Sequence, residues 1–180
     1  MKLAAASSVL AMVMVAGSLT AGDADLTNPA IDMAGHLRVA HEAALHRQTR
    51  RVSEEEFLRI SRTAGAVILD ARSRQKYDEL HVKGAVNLSF PDITAESLAR
   101  VIANSQTPVL IYCNNNFTGA LGPFPTKIPT ASLNISTYAA LYDYGYRNVY
   151  ELAPLVDLRQ SQLSFESRQT PPVARVNTWR

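Results

Sequence analysis

The 180-residue chain contains a single cysteine, Cys113, and it stands where the sequence changes character. "PVLIYC", Pro108 to Cys113, is a short apolar run; "NNNFTGALGPFPTKIPT", Asn114 to Thr130, is dense in Asn, Gly and Pro. The first pattern reads as a buried strand and the second as a loop. A thiol at the carboxyl end of a parallel strand lies where open α/β sheets bind their ligands. The loop after it offers backbone N–H groups for an anion-binding nest, and asparagine tolerates the left-handed backbone that a nest requires. A helix expected to begin near Asn134 adds its positive dipole end if it faces the same point. Such surroundings favour the thiolate, the nucleophilic form of cysteine. The opposing reading is a buried cysteine that acts as a small hydrophobe.

The same loop supplies the candidate substrate contacts: Asn114, Asn115, Asn116, Phe117 and Lys127. Lys127 is the only cation between Cys113 and the next helix. It is either a point charge for an anionic ligand or a solvated side chain. Phe117 and Phe124 are candidates to line an apolar pocket, and Pro123, Pro125 and Pro129 stiffen the loop toward a formed lid.

The elements around it alternate between strand and helix. "AVILD" (66–70), "AVNLSF" (85–90), "PVLIYC" and "NVYEL" (148–152) read as strands. "VSEEEFLRISRTA" opens with Ser53 and Glu56 in capping-box spacing; "SRQKYDELH", "TAESLARVIANS" and "ISTYAALYDYGY" read as further helices, the last closed by Gly145. This order predicts an α/β fold with a mostly parallel central sheet flanked by helices. A helix is also expected over 30–50, with Ile31, Leu37, Val39, Ala40, Ala44 and Leu45 on its apolar face. Its three histidines, His36, His41 and His46, recur every five residues and so fan around the helix; they read as surface residues, and no metal or cofactor is expected. The tyrosines at 138, 142, 144, 146 and 150 read as a mixture of core and surface side chains.

The N-terminus has the layout of a secretory signal peptide over residues 1–24: Lys2, an apolar stretch, then Gly22 and Ala24 ahead of the cut. The expected location is periplasmic or secreted, with no stable membrane insertion after cleavage. Beyond it we expect a helical extension over 25–51, the main domain over 52–160, and a partly disordered tail over 161–180 that carries Trp179. With a net charge of +2, nothing favours nucleic acid as a partner. One cysteine rules out an internal disulfide and leaves a thiol that is reactive or intermolecular.

"VILDARSRQKYDELHVKGAVNLSF" resembles the signature of rhodanese-like domains on Asp70, Arg72, Tyr77, His81, Gly84, Ala85 and Asn87. "VLIYC" resembles the strand that delivers that family's active cysteine, and "LYDYGYRNVYEL" its closing helix and last strand. The resemblance spans roughly Val52 to Leu152. It implies a rhodanese-like three-layer domain and a sulfurtransferase, in which Cys113 takes sulfane sulfur from a small donor such as thiosulfate and passes it to cyanide, a thiol or a protein acceptor. It also implies that Asp70, Arg72, His81 and Gly84 hold the scaffold; a catalytic Cys113–His81 pair is the alternative that general Cys–His chemistry offers. The loop after Cys113 departs from the family in its length and in having no arginine before Arg147. Two other readings stand beside the enzyme: an inert binding module that uses the long loop, and a cysteine-dependent phosphatase, which "CNNNFTG" disfavours for want of a cation fork.

Overall fold

The structure is a computed structural model and describes residues 28–168. One compact unit begins at Ala34. Of the residues before it, 28–33 are described and make a turn closed by the Ile31 N–H on the Asn28 carbonyl. The expected signal peptide (1–24), Trp179 and the rest of 169–180 lie outside the described residues.

Five short strands form an all-parallel sheet. They are β1 (Arg51–Val52), β2 (Val67–Asp70), β4 (Val86–Asn87), β5 (Val109–Tyr112) and β7 (Val149–Leu152), in spatial order β1-β7-β5-β2-β4. β5 is central, and all four of its residues are fully buried. Strand alternation sends Leu110 and Tyr112 to one face, where they join Phe57, Ile60 and Leu152. Val109 and Ile111 go to the other face, with Leu69, Leu98, Ile102, Tyr138 and Leu141. Helices α2 (Glu54–Ser61) and α3 (Arg74–Glu79) contribute to the first face; α4 (Ala95–Val101) and α5 (Leu133–Asp143) cover the second. Helix on both faces of a parallel sheet is the three-layer α/β arrangement read from the sequence.

Local chemistry sets the helix ends. Ser53 caps α2 by accepting the Glu56 N–H at 3.1 Å, but the Glu56 carboxylate pairs with Arg59 instead of reaching back, so the box is half made. A complete box stands at α4, where Thr94 and Ser97 satisfy each other's backbone N–H groups. Gly145, at φ 90°, ends α5 in the left-handed conformation that a side chain resists.

Helix α1 (Met33–Arg47) packs through a different face from the one expected. Leu37 and Leu45 are exposed, whereas Gly35 and Ala43 are buried. Small residues let the helix approach closely, and two polar anchors fix its angle. His46 Nδ1 lies 2.8 Å from the Tyr138 hydroxyl, and Arg47 forms a two-pronged pair with Glu151. His46 is therefore half-buried rather than a surface residue; His36 and His41 are exposed, and no metal-binding cluster occurs among the described residues. Arg51, just ahead of the expected domain start at residue 52, lies in β1 in register with Glu151.

Two small pairs of strands complete the fold: β3 (His81–Val82) with β9 (Phe165–Glu166), and β6 (Phe117–Thr118) with β8 (Val156–Asp157). The first pair shows that part of the expected tail over 161–180 is anchored, at Phe165 and Glu166. Phe165 packs edge-on to Phe117 at 5.3 Å, and Glu166 accepts from the Gly84 N–H, so this segment has apolar and polar anchors. The tyrosines divide between core and surface: Tyr138 is buried, Tyr142 and Tyr146 pack against the same cluster, and Tyr144 is exposed.

Burial, together with the charges of Arg50 and Arg147, lowers the pKa of His46 below its ordinary 6.5. The unfolded chain therefore binds this proton better than the folded one. The stability contributed by neutral His46 is whole above pH 6.5 and is lost as the pH falls below that value toward the depressed folded pKa. Thermal melts between about pH 7.5 and 5.5 should show a steeper loss of Tm for the wild type than for His46→Gln. Parallel curves would show that His46 does not couple protons to folding.

Candidate functional site

Cys113 follows β5 directly, at the carboxyl end of the sheet, and is 1 % exposed. Its Sγ lies 3.4 Å from the hydroxyl of Ser132, the residue that opens α5, and it accepts the backbone N–H of Asn116. The Ser132 hydroxyl makes no capping bond to its own helix, which leaves it free for the sulfur. The N-terminus of α5 thus does face the thiol. Ser132 itself was not among the residues singled out in the sequence.

The three asparagines have three different tasks. Asn116 is the knot: its Oδ1 accepts the Cys113 N–H at 2.9 Å and the Asn134 amide at 3.0 Å. Its Nδ2 donates to the carbonyls of Leu152 and Pro154 at 2.7 and 3.2 Å. One side chain therefore ties the end of β5, the end of β7 and the first turn of α5. Asn115 bonds the backbone of Lys127 in both directions, at 2.8 and 3.1 Å, and pinches the loop shut. Asn114 is buried and lines a separate cavity of about 430 Å³ with Arg72, Lys76, Pro125 and Lys127.

Two of the expected contacts are not at the thiol. Phe117 and Phe124 are fully buried in the core, with ring centroids 4.7 Å apart, because the loop folds its apolar side chains inward under the sheet. Lys127 is exposed and lines the Asn114 cavity rather than that of Cys113. His81 does not meet the sulfur: Nδ1 lies 2.6 Å from the Tyr77 carbonyl, Nε2 lies 3.2 Å from Glu166, and the ring stacks on Tyr77. Gly84 holds φ 82° in the turn after β3 and donates to Glu166.

Asp70 and Arg72 form a buried ion pair whose spare donors leave the pair. Arg72 donates to the carbonyls of Leu80 and Pro123 at 2.8 and 2.9 Å, so the end of β2 holds the loop from below. Burial opposes the charge on Arg72, but the hydrogen bonds and charge of Asp70 outweigh it and raise its pKa. Burial, with Asp70 beside it, drives Tyr112 well above its ordinary value. The phenol stays protonated and donates to Asp70 at 2.5 Å.

The cavity over Cys113 holds about 210 Å³. Its walls include the polar Ser132, Asn116 and Asn134 and the charged Glu151, Arg47 and Arg51. Asn134 Oδ1 is buried with no hydrogen-bond partner among the described residues. The arginines were missed because no local pattern announces them. They reach the site through the α1 packing and through the β1–β7 register, which sets Arg51 against Glu151.

The family model for the rhodanese-like domain matches residues 53–154, more than half of the chain. This chain belongs to the rhodanese-like domain family. No curated protein sequence matches it. Among solved structures, the BH2092 protein of Bacillus halodurans is 18 % identical over 73 % of this chain and 87 % of its own, with a TM-score of 0.48. A rhodanese with anions from E. coli is 22 % identical over 57 % and 98 %, at 0.39. A thiosulfate sulfurtransferase from Pseudomonas aeruginosa is 20 % identical over 75 % of this chain but only 24 % of its own, at 0.47. Likenesses this low add nothing to the assignment, which rests on the family model. In this rhodanese-like domain the family signature residues Asp70, Arg72, His81 and Gly84 all make scaffold contacts away from the sulfur.

Asn116→Ala would orphan the Cys113 N–H and two backbone carbonyls in a buried place, at roughly 1–3 kcal/mol per group. Urea unfolding should show a loss of about 2–4 kcal/mol for Asn116→Ala and less than about 1 kcal/mol for Asn115→Ala, at a half-buried position where water can replace its two bonds. Equal losses would remove Asn116 from the centre of the knot.

Proposed function

We propose that this protein is a sulfurtransferase that carries sulfane sulfur as a persulfide on Cys113. In the first half-reaction the Cys113 thiolate attacks the outer sulfur of a donor such as thiosulfate. A bond forms from Sγ to that sulfur, the donor's own S–S bond breaks, and sulfite leaves with the electron pair. In the second, cyanide or a thiolate attacks the outer sulfur of the persulfide, and thiocyanate or a new persulfide leaves while Cys113 returns as thiolate. No external oxidant or reductant enters either step.

The observation that carries this reading is the setting of Sγ. It sits at the carboxyl end of the central parallel strand, beneath a cavity, with the Ser132 hydroxyl and the Asn116 N–H directed at it. Donors fixed in advance around a reacting anion stabilise developing charge without reorganisation. They suit both the thiolate and the anionic persulfide. Asn115, Asn116 and Asn134 belong to the substrate contacts in this reading, because they line the same cavity; Asn114 and Lys127 line the neighbouring one.

Export to the periplasm or beyond is part of the proposal and rests on residues 1–24 alone. Among the described residues no helix is long and apolar enough to cross a membrane. N-terminal sequencing of protein recovered from outside the cytoplasm should begin near Asp25; an intact Met1 or Lys2 start would overturn export by cleavage.

Incubation of the full chain with thiosulfate should add the mass of one sulfur, absent in Cys113→Ser and removed by cyanide. No gain with thiosulfate or other sulfane donors, on folded protein with a titratable thiol, would leave the inert binding module. Ser132→Ala removes a hydrogen bond to a charged sulfur, worth about 1.5–3 kcal/mol, so the first half-reaction should slow roughly 10- to 100-fold. An unchanged rate would take Ser132 out of the chemistry.

A further inference from the structure

The walls of the Cys113 cavity divide by charge in an unexpected way. Within the matched segment, residues 53–154, the cavity's only formally charged lining residue is Glu151, a carboxylate buried to 4 % exposure. Both cations on the wall, Arg47 and Arg51, precede that segment. The matched segment alone would present a negative wall to an incoming anion. With α1 and β1 in place the lining carries two arginines against one carboxylate.

The two arginines are held differently. Arg47 spends two of its donors on Glu151 and keeps the others. Its pKa is raised by the Glu151 hydrogen bond, against the pull of burial, and the charge of Glu151 adds to the rise. Arg51 is exposed at the rim, with no hydrogen-bond or ion-pair partner among the described residues. Its backbone is fixed by the parallel pairing of β1 with β7, in register with Glu151. A fixed backbone with a free guanidinium at the mouth of a cavity suits a compact oxyanion, which a planar fork can contact through two donors.

We propose that the segment ahead of the family domain completes the site: Arg51, beside an Arg47 oriented by Glu151, receives the oxyanion end of the sulfur donor. For the donor class this rests on the sulfurtransferase reading above; for the cavity's preference for anions it does not. The ligand is a small anion that carries a sulfonate-like or thiosulfate-like head, with its transferable sulfur pointed at Sγ. Arg51 is the ligand contact; Arg47 and Glu151 neutralise each other beside it, so that the carboxylate does not repel the anion.

Charge-selective labelling tests this on the full chain, since Cys113 is the only thiol. Three methanethiosulfonate reagents serve as probes: anionic sulfonatoethyl, neutral methyl and cationic trimethylammonioethyl. In each case the thiolate attacks the sulfenyl sulfur, a disulfide forms on Sγ, and methanesulfinate leaves with the electron pair. The anionic reagent should react about tenfold or more faster than the cationic one, a preference that shrinks as salt rises. Arg51→Gln should cut the anionic-to-cationic ratio roughly fivefold or more while the neutral rate stays within about twofold.

Arg47→Gln alone leaves Glu151 buried and unpaired and risks misfolding. The double variant Arg47→Gln/Glu151→Gln keeps the net charge and should preserve most of the preference. A ratio unmoved by Arg51→Gln, or no labelling of the folded protein by any reagent, would overturn the proposal. With thiosulfate, Arg51→Gln should raise KM by a larger factor than it lowers kcat. Charge-selective labelling without any sulfur transfer would sink the sulfurtransferase reading and keep the anion site; transfer without charge selectivity would do the reverse.

Discussion

Asp70 and Arg72 sit under the sheet's carboxyl edge, 0 % and 2 % exposed, where neither charge has water to share. An ion pair in that position is tolerable only if every remaining donor and lone pair is also engaged. Here they are engaged outward, and this organises the neighbourhood. The carboxylate accepts Tyr112 from β5, and the guanidinium donates to Leu80 ahead of β3 and to Pro123 in the loop. Asn87 adds two bonds to the carbonyls of Asp70 and Arg72 from β4. Three strands and the long loop are thereby referenced to one buried pair. The face of Phe124 lies 4.2 Å from the same guanidinium, so the apolar side of the loop is anchored at the same place.

Above that support the site is built from backbone and amide chemistry rather than from charged side chains. The knot around Asn116 fixes the peptide of Cys113 and the start of α5 with one side chain, and Ser132 then reaches the sulfur. The loop needs no separate lid to be ordered. Its phenylalanines are core residues, its Asn115–Lys127 staple closes it, and Phe117–Thr118 pairs with Val156–Asp157. Charge enters only at the wall, through the arginines and Glu151.

Much of this was legible in the sequence because it is local. The apolar runs 67–70, 109–112 and 149–152 are strands where the pattern put them, and Ser53 and Gly145 bound helices as their chemistry requires. The position of Cys113 at a strand end was legible for the same reason. What was not legible depends on sequence-distant partners. Lys127 and Phe117 are near Cys113 in the chain but turn away from it, since loop direction is set by the Arg72–Pro123 bond and by Phe165, which no short-range pattern reveals. The inner face of α1 was misread because hydropathy weighs Leu37 and Leu45 above Gly35 and Ala43, whereas close approach and the Tyr138 and Glu151 anchors decide the packing. Arg47 and Arg51 become site residues only once β1 is known to pair with β7.

That pairing also imposes an order in time. β1 is the first of the sheet's five strands in chain order, and β7, its only neighbour in the sheet, is the last. In a chain that emerges from its N-terminus Arg51 arrives well before Glu151, and until β7 arrives the arginines have no sheet edge to join. The thiol is delivered before β7 as well. The cavity wall is therefore among the last parts of the fold to close, after the central strands have had the chance to pair. Non-local parallel pairing of this kind is intrinsically slow to form. A nascent or partly folded chain carries the cysteine without its finished cavity.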